Sequence, residues 1–388
     1  MDDQRRQQPA LARVLQVLAE LGYTLGHNRR ASRFTYSKPG KTKRLTVTDK
    51  TYARFRRILL EKTGLDFGSD VIRDAVKLVG YQDEYDPVVQ WIDSLEWDGT
   101  PRLEKLLIDY FGACDTSLNR ALSVLTLVSA VRRARKPGCR SDDNLILAGG
   151  TGVGKTLGVR ILARKRDWYS DADILGRSPE RQLEALDGVW IFEIAELVGN
   201  SPLHHERNKA FLSRTIDRGR RAYGREREDK KRACIFIGTT DKEEFFFDPA
   251  GNRRFHPVKV TTVRRKKLKA DREQIWAEAA HIEKTFGPLV LPKDLWEAAA
   301  TQQRARLETD PWSDTLKSVV GRRKGDLMIV RNCDVLAAVG LDAAHQRPAD
   351  FKRGAAVMRQ LGYNHWQGKI DGERVRGFSK HIESESGE

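Results

Sequence analysis

The chain has 388 residues, 70 of them basic and 54 acidic, for a formal net charge of +16. That length exceeds one ordinary hydrophobic core and calls for two or three domains, and the charge favours a polyanionic partner, nucleic acid before membrane. The longest nearly apolar run, Ala121 to Val131, has eleven residues, well below the roughly 18 to 20 that cross a bilayer. The opening MDDQRRQQPA has no apolar stretch of the signal-peptide kind. Cys114, Cys139, Cys234 and Cys333 are scattered, without the paired spacing of a zinc site or a disulfide frame. A protein of a reducing compartment that faces nucleic acid and not a membrane is expected.

The first 140 residues read as mostly helical. RFTYSKPGKTKRLTV gives two β-rich runs about a Pro-Gly break, a hairpin signal. DKTYARFRRILLEKTG then predicts a helix from an N-cap at Asp49 to a stop at Gly64. In SLEWDGTPRLEKLLIDYFG a turn precedes a helix with Pro101 at its start. RKPGCRSDD marks a boundary, so the domains are read as 1–140, 141–300 and 301–388. In the middle domain NLILA, VWIFEI and ACIFIGTT are near-continuous apolar strands separated by helical patterns, the mark of a parallel sheet covered on both faces. The helix in SPERQLEAL is capped by Ser178 with Pro179 in its first turn. After about Trp312 come a helical pattern, the strand DLMIV, two helices and a basic hairpin around Asp371-Gly372. This series describes a winged helix, although a helical cap with a hairpin fits as well.

LILAGGTGVGKT has Gly149, four residues, then Gly154, Lys155 and Thr156, between an apolar strand and a helix. Glycines let successive N–H groups of Gly149, Gly150, Thr151, Gly152, Val153 and Gly154 curl toward phosphate oxygens, at the positive end of the following helix. Lys155 would reach the β- and γ-phosphates and Thr156 would ligate Mg²⁺, which makes ATP and Mg²⁺ the expected ligands. Hydrolysis also needs carboxylates. GVWIFEIAEL places Glu193 at the carboxyl end of a buried strand, where ligands of open α/β sheets bind. Of Glu193 and Glu196, one would hold the metal and the other polarise the attacking water, in either order. A further strand ends in Thr239, Thr240 and Asp241, beside the expected γ-phosphate. In DPAGNRRFHPV, Arg253 and Arg254 are adjacent, so on an extended chain they point to opposite sides.

Taken together, PGCRSDDNLILAGGTGVGKT, GVWIFEIAEL, KAFLSRTIDRGRRAYGRERED, CIFIGTTD and DPAGNRRFHPV resemble the virulence-associated protein E family, as does YDPVVQWIDSLEWDGTPRL upstream. These are P-loop ATPases of phages, prophages and mobile islands, related to superfamily 3 helicases. The resemblance implies an AAA+-like core with ATP bound at Gly149 to Thr156, acidic residues at Glu193 and Glu196, and a sensor at position 241. There the family usually has asparagine, and Asp241 departs from it, which leaves Thr240 as the other sensor candidate. It also implies a homo-oligomeric, hexameric ring whose sites lie between subunits, with an arginine of GNRRF acting on the neighbour's nucleotide. Either Arg253 or Arg254 could serve, with a lean to Arg253.

Residues 207–232 carry eleven lysines or arginines against four acids. In superfamily 3 this position holds a hairpin that grips DNA in the ring channel. Arg218, Arg220, Arg221, Arg225, Lys230 and Lys231 would then meet phosphates of single-stranded DNA, and Tyr223 would stack on a base. A solvated charged helix is the competing interpretation. In the tail, Arg353, Arg359, Lys369, Arg374 and Arg376 suit duplex DNA or a protein partner. The expected activity is ATP hydrolysis coupled to movement on DNA, for replication of a mobile element in a bacterial cytoplasm, alongside host or phage replication proteins. The alternative is an ATP-switched initiator or helicase loader that unwinds nothing.

Overall fold

The computed structural model describes residues 9–195, 208–220, 227–246, 253–307, 310–342, 344–370 and 372–382. The N-terminal part is not simply helical. Its helices Ala10–Glu20, Asp49–Thr63 and Ser69–Gly80 share a unit with a four-stranded sheet, ordered Arg44–Thr46, Arg33–Ser37, Thr24–Asn28, Glu84–Tyr85. The first two strands are the hairpin read from the sequence, paired antiparallel. Thr24–Asn28 escaped notice because glycine interrupts its short pattern. Gly26 is needed there: a Cβ would stand 3.1 Å from the Asp83 carbonyl and collide with the Arg44 guanidinium. Val14, Leu18, Phe55, Leu59, Ile72 and Val76 form a separate small core. The second helix begins one residue earlier than its sequence suggests, with Thr48 as N-cap in a capping box with Thr51, and ends at left-handed Gly64.

The central sheet has five strands in the order Phe255–Lys259, Asn144–Ala148, Ile235–Thr240, Ile191–Ala195, Tyr169–Ser170. Every pairing in it is parallel. The apolar strands bury both faces, as such a sheet requires. Leu145, Leu147, Ile191 and Ile237 join one core, while Ile146, Phe192, Phe236 and Phe255 join the other. Pro257 is accommodated because its strand is at the sheet edge.

The first of these cores does not stop at the composition break near residue 140. It runs continuously from Val88 through the helix Ser117–Arg135 to the helix Arg265–Glu283. Trp91, Trp168, Trp190 and Trp276 meet inside it, with the Trp190 and Trp276 rings 4.2 Å apart. Both buried indoles find acceptors, the carbonyls of Ala130 and Leu162. The helix expected at Pro101 is absent from that position; a single π turn, Leu106–Tyr110, follows later. The backbone N–H groups of Arg102 and Leu103 are instead satisfied by the Glu278 carboxylate, a partner distant in sequence that no local signal reveals. At the other end, the helix Trp296–Arg304 spans residue 301 and donates from Gln303 to the Phe255 carbonyl.

The C-terminal part has a helix Trp312–Lys317, strands Arg322–Lys324 and Leu327–Arg331, helices Asn332–Ala338 and Pro348–Gln360, and the hairpin Asn364–Ile370/Glu373–His381. The strands make one four-stranded antiparallel sheet over a core of Leu316, Val330, Val335, Val357, Met358 and Phe378.

Candidate functional site

The loop 149–154 leaves the buried strand Asn144–Ala148 and enters the helix Lys155–Ala163. Gly152 and Gly154 have φ of +87° and +95°, values costly for a residue with a Cβ. Gly149 is required for a different reason: a Cβ there would come within 2.2 Å of the Val260 carbonyl. The Lys155 ammonium folds back onto the loop, donating to the carbonyls of Gly149 (2.5 Å) and Gly150 (3.0 Å). Burial lowers its pKa, against the attraction of Asp241 and Glu193. Thr151 donates to Asp241 at 3.0 Å.

Glu193 is the centre of the site. It does not emerge at a strand end, as read from the sequence. It is the middle residue of the strand Ile191–Ala195, paired with Ile237, and only 1% exposed. Its carboxylate nevertheless reaches the loop. One oxygen accepts from Thr156 (2.6 Å) and Thr239 (2.8 Å), and the other accepts from Tyr169 (2.7 Å). Three neutral hydroxyls therefore solvate this carboxylate, and no lysine or arginine forms an ion pair with it among the described residues. A buried charge without a counter-ion is costly. Thr156 and Glu193 are hard oxygen donors of the kind Mg²⁺ takes, so the residues present fit such an ion.

The remaining predicted residues separate. Thr240 is buried, its hydroxyl accepting from the Lys242 N–H and its carbonyl from the Gly149 N–H. Thr239, read from the sequence with Thr240 and Asp241 at the strand tip, is the threonine that touches Glu193. Glu196 lies outside the described residues. Arg253 and Arg254 stand at the opposite, amino edge of the sheet. Phe255 pairs with Asn144, the first residue of the strand whose last residue precedes the loop. The intervening strand length is roughly 16 Å at about 3.3 Å per residue. Arg254 is held within the chain, donating to Ser213 at 2.6 Å. Arg253 is exposed and has no partner among the described residues.

The basic segment is a hairpin, not a charged helix. Strands Ile216–Arg220 and Arg227–Lys231 pair antiparallel. Arg221, Tyr223 and Arg225 fall between them, outside the described residues. Arg220 and Lys231 are exposed, and Arg218 is exposed while pairing across the hairpin with Asp229. Lys230 is a correction. It points inward, donating to Asp187 (2.5 Å), the Arg30 carbonyl (2.7 Å) and Ser32 (3.2 Å). At the hairpin base, buried Arg232 pairs with buried Asp217. In the tail Arg353 is likewise committed, forked onto Asp310 and stacked on Trp312. Arg359, Lys369, Arg374 and Arg376 are exposed.

Sequence reasoning missed Tyr169. Its strand has only two residues, too few for a periodicity signal. The one available clue was topological: a parallel sheet demands a strand after the loop's helix, and WYS is the first β-prone run there.

Fold and site together define an α/β protein with a five-stranded parallel sheet and a glycine loop, at the carboxyl end of one strand, that meets a buried carboxylate from within another. The chain matches the virulence-associated protein E-like domain over residues 92–308, more than half its length, and belongs to that family. Among solved structures it is similar to the apo structure of the NrS-1 C-terminal region (305–718). Identity there is 13% and the TM-score 0.50, covering 96% of this chain and 99% of that one. A second, the A form apo structure of the NrS-1 C-terminal region, gives 14% identity and a TM-score of 0.51, covering 94% and 98%. Curated proteins give no match. No helix among the described residues is long and apolar enough to cross a membrane.

Proposed function

We propose that this chain is a P-loop ATPase that acts on DNA during replication of a phage, prophage or other mobile element. The meeting of Thr156 with a buried, hydroxyl-held Glu193 beside a loop of left-handed glycines is the observation that carries this. The amides of 150–156 cradle the phosphates of ATP, at the positive end of the helix Lys155–Ala163. Lys155 exchanges loop carbonyls for phosphate oxygens. Thr156 and Glu193 hold Mg²⁺, which neutralises phosphate charge when bound. Glu193 or Glu196 orients the attacking water, and Thr239 keeps Glu193 turned toward the loop. Asp241, anchored by Thr151, is acidic where relatives use an amide, so Thr240 is the alternative sensor.

A homo-oligomeric ring, taken as a hexamer, completes the site. Arg253 is too far along the sheet to serve its own loop and has no partner among the described residues, which supports its use on a neighbour's nucleotide, with Arg254 anchoring the turn through Ser213. The hairpin carrying Arg218, Arg220 and Lys231 offers single-stranded DNA an exposed basic ribbon, and Arg221, Tyr223 and Arg225, outside the described residues, are assigned to the same DNA contact from the sequence. The helix, strand, two helices and hairpin of the tail support a winged-helix assignment. There Arg359, Lys369, Arg374 and Arg376 face duplex DNA.

The test is a steady-state ATPase assay with and without single-stranded DNA. Lys155→Ala and Glu193→Gln are each expected to lower kcat by at least about 100-fold. A chain that hydrolyses no ATP under either condition would overturn this function. Displacement of one strand from a forked duplex then marks a helicase, and DNA-stimulated hydrolysis without displacement marks a loader.

A further inference from the structure

Tyr169 stands beside the proposed ATPase site without a role in it. Its two-residue strand is the outer edge of the parallel sheet, and Tyr169 pairs with Ile191, two residues before Glu193. Side chains two apart on a strand share a face, so the phenol lies along that face and its hydroxyl donates to Glu193 Oε2 at 2.7 Å. The other carboxylate oxygen is taken by Thr156 and Thr239. Thr156 is on the loop's helix and Thr239 on the neighbouring strand, so Tyr169 fixes the carboxylate from the third direction. Without it, Oε2 of a carboxylate on a residue that is 1% exposed would lose its hydrogen bond, and the group would be held by Thr156 and Thr239 through Oε1 alone.

The phenol is itself held. The Arg160 guanidinium sits 5.1 Å from the ring centroid and pairs with Asp171 at 2.6 Å. Packing alone would ask only for the ring. A phenylalanine fills the same space.

We infer that Tyr169 is a positioning residue: its hydroxyl sets the orientation of the Glu193 carboxylate toward Thr156 and the metal–nucleotide complex. This rests on the ATPase function proposed above. The experiment uses the full chain and its Tyr169→Phe variant, with kcat and KM for MgATP, affinity for a fluorescent ATP analogue and the thermal midpoint measured in parallel. Tyr169→Phe is expected to lower kcat at least about tenfold, as misplacement of a site group does, with KM and analogue affinity unchanged within about twofold. A kcat within twofold of the parent overturns the inference. So does a kcat loss matched by equal losses in nucleotide affinity and a lowered midpoint, because that pattern is structural damage. A parent chain that binds the analogue but never hydrolyses ATP overturns the ATPase function itself, and the inference with it.

Discussion

Glu193 places its carboxylate among three hydroxyls, with no lysine or arginine ion pair among the described residues. Thr156 is the hydroxyl proposed for two tasks, donating to Glu193 at 2.6 Å and offering its oxygen to Mg²⁺. Serine keeps that hydroxyl and valine keeps only the shape, so the pair separates chemistry from packing. Thr156→Ser is expected to retain kcat within about threefold, whereas Thr156→Val lowers it by roughly 100-fold and abolishes the tightening of nucleotide binding by Mg²⁺. Titrating a fluorescent nucleotide with and without Mg²⁺ checks both. At this scale the sequence was informative wherever residue type and spacing suffice. Gly149 to Thr156 and Glu193 could be named because a glycine loop between strand and helix has few other uses. Tyr169 could not, because its contact depends on strand register across the sheet. Glu193 itself was placed at the wrong point of its strand, since a carboxylate inside an apolar run reads as the end of that run.

Among the elements, the basic hairpin shows how charge in a sequence divides between surface and structure. Lys230 and Lys231 are neighbours in a strand, so they face opposite ways. Lys230 turns to Asp187 and to the loop holding Arg30 and Ser32, and Lys231 turns to solvent. The Arg30 guanidinium pairs with Asp86 at 2.9 Å and donates to the carbonyls of Val189 and Ala233, which precede two central strands. The N-terminal unit thus grips the amino ends of the sheet and the base of the hairpin together. A charge count cannot separate the two lysines; only the partners waiting on one side can. Lys230→Met is expected to cost about 2 kcal/mol of stability by leaving Asp187 without its ion pair. Lys231→Met leaves the thermal midpoint within a degree or so and instead flattens the salt dependence of single-stranded DNA binding. Equal midpoint losses for both would contradict this division.

Across the whole molecule, the parallel sheet was readable because a strand buried on both faces leaves a continuous apolar run. Of the N-terminal sheet only the hairpin Arg33–Ser37/Arg44–Thr46 was, because Thr24–Asn28 is interrupted by Gly26 and Glu84–Tyr85 has two residues. The core running from Val88 to the sheet escaped because tertiary packing, not composition, joins them. The two ends of that sheet bear on how many chains make one site. The glycine loop is at the carboxyl ends of the strands, and Arg253 is at their amino ends, roughly 16 Å of strand away. If Arg253 serves nucleotide hydrolysis, it serves a loop on another copy. A subunit with Arg253→Ala and one with Lys155→Ala are each expected to be inactive in a uniform ring of the proposed kind. In a mixed ring some interfaces pair an intact loop with an intact arginine. Mixing them is therefore expected to restore DNA-stimulated ATPase to roughly a quarter of the parent rate at equal ratio, the chance that both sides of an interface are intact when subunits assort randomly. Arg254→Ala is expected to keep most of the parent rate in a uniform ring, because its bond to Ser213 acts within one chain and only steadies the turn, so mixing has little to restore. Recovery with Arg254→Ala and none with Arg253→Ala would exchange the two roles, and no recovery with either would place both arginines outside the site.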